Sequence, residues 1–177
     1  MDGTISPIRL PWPEWTNPAI RLYHGTTLPS ADAITATGID VARGRATTDF
    51  GRGFYTTTDQ ENAREWSRRK SRYLGQPPVP LRLTADRLAL ANLSSIVFIR
   101  GSDSAQDYWS FVTHCRSGLP HRPATNDFYD VAFGPVSKVW FGSSNAVWAD
   151  YDQISFHTQA AQDMLNNESI CTLEVMP

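Results

Sequence analysis

Apolar and polar positions along this chain switch between two periods, and the switches outline the elements. Residues 1–18 show neither period. They hold Pro7, Pro11, Pro13 and Pro18 together with Trp12 and Trp15. Proline cannot join a helix interior or a central ladder, so this stretch reads as an extended segment pinned to the body by its tryptophans. Ile20 to Tyr23 predicts a first strand that delivers His24 at its end. Ser30 then caps a short helix to Thr37, which Gly38 closes, and Ile39 to Thr48 is a loop carrying Arg43 and Arg45. The clearest helical pattern runs from Asp59 to Tyr73, with Ala63 and Trp66 on one face. Gly75 to Pro80 breaks it. Leu81 and Leu83 alternate with Arg82 and Thr84, which predicts a strand over Val79 to Leu83. Ile96 to Ile99 fits a strand or a buried helical turn equally. Ser104 to Arg116 predicts a second helix, apolar over a wide face and stopped by Gly118. A strand over Asp130 to Gly134 ends before Pro135, and a second spans Gln153 to His157. Thr158 caps a helix to Asn166, and Ile170 to Val175 forms a last strand. Strands and helices do not alternate regularly and no repeat or linker interrupts them. The pattern therefore implies an α+β fold with antiparallel sheets, one domain over residues 19–177.

One stretch departs from plain periodicity. In Asp49-Phe50-Gly51-Arg52-Gly53-Phe54-Tyr55-Thr56-Thr57-Thr58, two glycines flank an arginine and lead into an aromatic, β-branched run. The glycines permit positive φ or close approach of a ligand, and Phe54 to Thr57 suits a pleated strand. Thr58 with Glu61 three residues on matches a capping box. The result is a tyrosine presented beside a glycine turn and a helix start, which is either a ligand feature or a hairpin with a core tyrosine.

Composition narrows the class. With 177 residues, 41% apolar content and mixed charge, the chain is long enough for its own core and is not disordered. A net charge of −2 gives no general pull toward nucleic acid or anionic membrane. The basic run Arg64, Arg68, Arg69, Lys70 and Arg72 lies near a helix C-terminus, where cations oppose the macrodipole, so it favours helix stabilisation over a binding patch. Cys115 and Cys171 lack metal-type spacing and read as buried free thiols, with a disulfide as the alternative. Met1 to Thr4 carries no signal-peptide character, and no apolar run reaches the ~20 residues that span a bilayer. These features predict a soluble chain made in the cytoplasm, with no membrane partner.

Two motifs in order add a resemblance. Leu22-Tyr23-His24-Gly25-Thr26-Thr27 precedes Gly51-Arg52-Gly53-Phe54-Tyr55. This arrangement resembles the ADP-ribosyltransferase superfamily, in the branch with a His-Tyr-Glu triad, and within it a family of small bacterial toxin-type domains. The likeness runs from Leu22 to Leu165 and includes Ala63, Trp66, Trp109 to Arg116, Tyr129 to Val136, and Gln153 to Thr158. It implies two small antiparallel sheets around an NAD cleft with flanking helices. It also implies NAD as substrate, no metal, a protein or nucleic-acid acceptor, and room for a cognate antitoxin or immunity protein. Action follows in the producing cell's cytoplasm or in that of a target cell after delivery.

By the same resemblance, His24 hydrogen-bonds the adenosine ribose. Gly25 pairs its backbone N–H and C=O with the nicotinamide carboxamide, with Thr26 beside it. Tyr55 stacks on the nicotinamide ring next to Arg52 and Gly53, and Trp66 closes the other ring face or is a core tryptophan. Such a clamp is on the order of 1–2 kcal/mol. Arg43, Arg45 and Arg52 are placed to meet the pyrophosphate. The third position departs from the superfamily. Where a glutamate normally holds the ribose 2′-hydroxyl, the strand Tyr151-Asp152-Gln153-Ile154-Ser155 offers Gln153, with Asp152 in reserve on the opposite sheet face. Glutamine accepts a hydroxyl hydrogen bond but adds no charge, which counts against polymer elongation. On sequence alone, a glutamate at 153 is expected to keep or raise activity. Asp130 and Arg116 also match the small toxin family, and a buried pair between them is the expectation. The implied activity is mono-ADP-ribosyl transfer. NAD hydrolysis on the same site is the near alternative, and a non-catalytic nucleotide-binding module the more distant one.

Overall fold

The computed structural model describes residues 17–100, 105–139 and 147–177. Among these residues the elements are, in order, β1 (Ala19–Thr27), α1 (Leu28–Thr37), a 3-10 turn (Val41–Arg43), β2 (Phe54–Thr56), α2 (Gln60–Leu74), β3 (Pro78–Asp86), α3 (Arg87–Ala91), β4 (Ser95–Val97), α4 (Ala105–Arg116), β5 (Val131–Val139), β6 (Val147–Phe156), α5 (Gln159–Asn166) and β7 (Cys171–Val175). They form an α+β fold with two sheets. One has three strands in the order β1-β3-β7, all antiparallel. The other has four in the order β2-β6-β5-β4, in which β4 runs parallel to β5. That parallel pair departs from the all-antiparallel expectation. The connection from β4 to β5 contains α4, which returns the chain to the same end of the sheet, as a parallel pairing requires.

The principal core lies between the sheets. Leu22, Leu83 and Ala85 of the first sheet meet Phe54, Val131, Ile154 and Phe156 of the second, with Met164 and Leu165 of α5 closing one side. The outer face of the second sheet is covered by Phe50 and by Tyr108 and Val112 of α4. Alternation within β2 and β6 therefore sends Phe54, Ile154 and Phe156 inward between the sheets and turns Tyr55, Gln153 and Ser155 toward α4. Both cysteines are buried and free, and burial pushes their thiols up, to about 12 at Cys115 and about 11 at Cys171.

Several boundaries differ from the sequence pattern for identifiable reasons. β1 continues past Tyr23 to Thr27 because β3 pairs with it over its whole length, from Ala19–Asp86 to Thr27–Pro78, so His24 lies inside the strand. Thr27, not Ser30, occupies the cap position of α1, and its hydroxyl donates to Gln76 Oε1 at 2.8 Å. The cap of α2 is Asp59, whose carboxylate accepts from the N–H groups of Glu61 and Asn62 at 2.8 and 3.1 Å. A carboxylate there also meets the positive end of the macrodipole, an advantage the Thr58 hydroxyl lacks. β5 runs through Pro135, tolerated where the register shifts between Pro135 and Ser137. The Asp130 carboxylate accepts from the N–H and hydroxyl of Ser94, both at 2.8 Å, and from the Thr158 hydroxyl; it does not pair with Arg116. Residues 1–16 and Ser104 lie outside the described residues; Pro18 is described, and its carbonyl accepts from Arg87 N–H at 2.7 Å. Among the described residues no helix is long and apolar enough to cross a membrane.

Helix α2 lies across β1 at Gly25. A Cβ there would stand 2.2 Å from Ala63 O, 2.8 Å from Ser67 N and 2.8 Å from Trp66 Cβ. Two of those atoms are helix backbone and cannot rotate away. Gly25→Ala is accordingly expected to destabilise the protein by about 1–3 kcal/mol, read as a lower urea midpoint. An unchanged midpoint would mean that α2 sits farther from β1.

Candidate active site

The backbone edges of β1 and β2 face one another but are joined at a single place. Tyr23 and Thr57 exchange hydrogen bonds of 2.8 and 2.9 Å, and the pairing goes no further. The next facing residues are Gly25 and Tyr55, and among the described residues no backbone bond joins them. A side chain spans the gap instead. His24 Nδ1–H donates to Tyr55 O at 2.6 Å, which leaves Nε2 as an acceptor. Its ring stacks on Phe54 with centroids 4.4 Å apart. Burial, then the nearby charge of Lys70, holds the imidazole well below its ordinary range, at about 3, so it is neutral. The Gly25 carbonyl accepts from Lys70 Nζ at 2.7 Å. Trp66, on the turn of α2 that crosses Gly25, is 38% exposed, with the Arg69 guanidinium 5.5 Å over its ring.

Tyr55 points from β2 to the face opposite Phe54 and the His24 ring. Its hydroxyl accepts from Phe50 N–H at 2.9 Å and from Thr48 Oγ1 at 2.8 Å, and it donates to Gly51 O at 2.8 Å. The phenol thereby pins the turn in which Gly51 takes φ +77°. Gly53 serves a different end, since a Cβ there would stand 2.5 Å from Phe156 O. Burial raises the Tyr55 hydroxyl far above its ordinary range, so it is a neutral donor and acceptor.

Beside Tyr55 lies a carboxylate that the sequence reading did not assign. Asp49 is 5% exposed. It accepts from Arg116 Nε at 3.0 Å and from Arg116 Nη2, from Ser137 N–H at 2.7 Å, from Ser137 Oγ at 2.6 Å and from Gln153 Nε2 at 2.8 Å. Arg116 thus finds its carboxylate in the motif loop and not at Asp130. Gln153 spends its second amide proton on Pro135 O at 2.9 Å, and among the described residues Oε1 accepts nothing. A glutamate at 153 would set a second carboxylate against Asp49 Oδ2, where the amide now donates. That like-charge contact counts against a glutamate at this position. Asp152, on the opposite face, accepts from Thr57 Oγ1 at 2.9 Å, from Thr58 N–H at 2.8 Å and from Thr58 Oγ1, tying β6 to the start of α2.

His157 and His121 are buried beside Tyr55, with the His157 ring edge-on to it at 6.2 Å and to His121 at 4.5 Å. His157 Nδ1–H donates to Arg52 O at 2.7 Å, and its Nε2 accepts from Ser155 Oγ at 2.7 Å. Burial and the adjacent His121 hold His157 at about 3. Of the three arginines expected at a pyrophosphate, Arg52 is exposed and reaches Ala42 O at 3.4 Å, and Arg43 pairs with Asp40 at 3.5 Å. Arg45 lies close enough to Lys70 to add, after burial, to the lowering of that amine to about 8. Thr26 is buried in β1. Two hollows, of about 230 and 190 Å³, are lined by none of His24, Gly25, Tyr55 and Trp66. Phe98, Phe133, Pro135 and Asp152 help line the first, and Arg64, Pro80 and Met176 the second.

The fold and site thus define an α+β protein in which a motif strand and a motif loop meet across an unpaired strand edge. Within that class, the chain belongs to the family described as a protein of unknown function, DUF3990, which matches residues 20–141. The matched span takes in His24, Asp49, Tyr55 and Arg116 and stops short of Asp152 and Gln153. No curated protein matches the chain.

Two outcomes follow from this geometry. Asp49→Ala leaves Arg116 without its buried carboxylate and is expected to cost about 3–5 kcal/mol in chemical denaturation. Adding Arg116→Met should cost less than the sum of the single changes; additive costs would show that the two residues act independently. His24 and His157 are neutral in the fold, whereas the unfolded chain protonates them below about 6.5. The unfolded state then binds more protons, so stability is lost as pH falls through 6.5 toward 3. About 1 kcal/mol should disappear for each histidine between pH 7.5 and 5.5, and His157→Gln should flatten the profile. A flat wild-type profile would mean that both rings are open to protonation.

Proposed function

We propose that the protein is an NAD-dependent mono-ADP-ribosyltransferase of bacterial toxin or effector type, working in the gap between β1 and β2. The observation that carries the reading is the unpaired Gly25 edge facing Tyr55, bridged among the described residues by the His24 side chain. A carboxamide has one donor face and one acceptor, which complement a backbone C=O and N–H. Nicotinamide seated there would meet Tyr55 and Trp66. His24 Nε2 would accept from the adenosine ribose, and Gln153 Oε1, left uncommitted because Asp49 and Pro135 engage the amide protons, would accept from the ribose 2′-hydroxyl.

In the reaction the bond between ribose C1′ and the nicotinamide nitrogen breaks, and its electron pair stays with nicotinamide, which leaves neutral. The acceptor's lone pair then forms the new bond at C1′, and its proton passes to solvent or to the acceptor's own surroundings. The transition state is oxocarbenium-like, so a polar oxygen at the 2′-hydroxyl matters most as charge develops. With water as acceptor the same site is an NAD glycohydrolase.

The pure protein incubated with NAD, with and without cell lysate, should release nicotinamide. Gln153→Ala should lower that rate about a hundredfold while keeping the NAD-induced rise in melting temperature. No release under either condition would overturn the enzyme and leave a binding module.

A further inference from the structure

The basic run of α2 divides into two kinds of residue. Arg69 and Arg72 reach Glu65 on the surface at 3.4 and 3.6 Å, and such exposed pairs contribute little. Lys70 turns in and is half-buried. Its Nζ lies 2.7 Å from the Gly25 carbonyl, and among the described residues no carboxylate stands within ion-pair distance of it. Arg45 adds a like charge nearby. A half-buried ammonium held by one neutral carbonyl is poorly compensated. It also occupies the acceptor of the unpaired β1 edge.

We propose that Lys70 is an internal plug of the nicotinamide slot, its ammonium holding the Gly25 carbonyl that the carboxamide would use. The inference rests on the reading of the β1–β2 gap as an NAD site. The nicotinamide half of the substrate enters only after Lys70 swings out, and the ADP-ribose half does not require that movement. NAD's pyridinium ring is itself cationic, so Lys70 in its inward position opposes the substrate by charge as well as by occupancy. Lys70 is a specificity-determining residue here, because it lowers affinity for the nicotinamide end alone.

Calorimetric titration of wild type and Lys70→Met with nicotinamide and with ADP-ribose, as separate probes that do not turn over, tests this. Lys70→Met should bind nicotinamide roughly tenfold or more tightly, the scale of one charge-assisted hydrogen bond that need no longer be broken. Its affinity for ADP-ribose should be unchanged. Lys70→Gln, which loses the charge but keeps a donor, should shift nicotinamide binding in the same direction by less, and it serves if the methionine variant does not fold. Nicotinamide affinity unchanged or weaker in Lys70→Met, with ADP-ribose still bound, overturns the plug alone. Loss of ADP-ribose affinity would show that Lys70 grips the diphosphate, which also overturns it. If neither probe binds either protein, the reading of the gap as an NAD site falls, and the plug with it.

Discussion

The buried carboxylate of Asp49 holds together parts of the chain that are far apart in sequence. It joins the motif loop to the end of α4 through Arg116, to β5 through Ser137 and to β6 through Gln153. A charge this deep is tolerable only when its oxygens are fully engaged, and here a guanidinium, a backbone N–H, a hydroxyl and an amide engage them. The network also orients Gln153. With both amide protons committed, its oxygen is the atom left to meet a ligand. It explains the amide itself, since a second carboxylate at that position would oppose the first.

The second constraint is the incomplete pairing of β1 with β2. Tyr23 and Thr57 close one rung, and α2 then crosses β1 so tightly that only glycine fits at position 25. From there the strand edges part. His24 fixes the distance across the opening by its bond to Tyr55 O, while the Tyr55 phenol goes to the other face and pins the loop that carries Asp49. The gap and the carboxylate network are thus coupled through one residue: moving Tyr55 disturbs both. That coupling gives the proposed chemistry its preorganisation, with the ring slot and the 2′-hydroxyl acceptor set by one rigid turn.

Much of this was legible in the chain, and what was not has physical causes. Helix α5 begins after Thr158, whose hydroxyl caps it, and α1 ends at Gly38, because capping is decided by neighbours in sequence. The opposite facing of Asp152 and Gln153 follows from strand alternation. Partnerships across the fold were not legible. Arg116 could be assigned to Asp130 or to Asp49 by composition alone, and only the approach of α4 to the motif loop decides for Asp49. The length of β1 depended on β3 supplying a partner along all of it, and the passage of β5 through Pro135 on a register shift that no local pattern encodes. Lys70 read as part of a basic surface run, because helical spacing does not reveal that its stem turns toward Gly25.

The central claim is that the Gly25–Tyr55 gap receives a carboxamide. A crystal structure of the slow Gln153→Ala variant with NAD tests it most directly. The account predicts the carboxamide bonded to Gly25 N–H and C=O, the ring between Tyr55 and Trp66, and Lys70 displaced from the carbonyl. NAD bound elsewhere, such as in the hollow beside Phe133 and Asp152, with Lys70 still on Gly25, would contradict it.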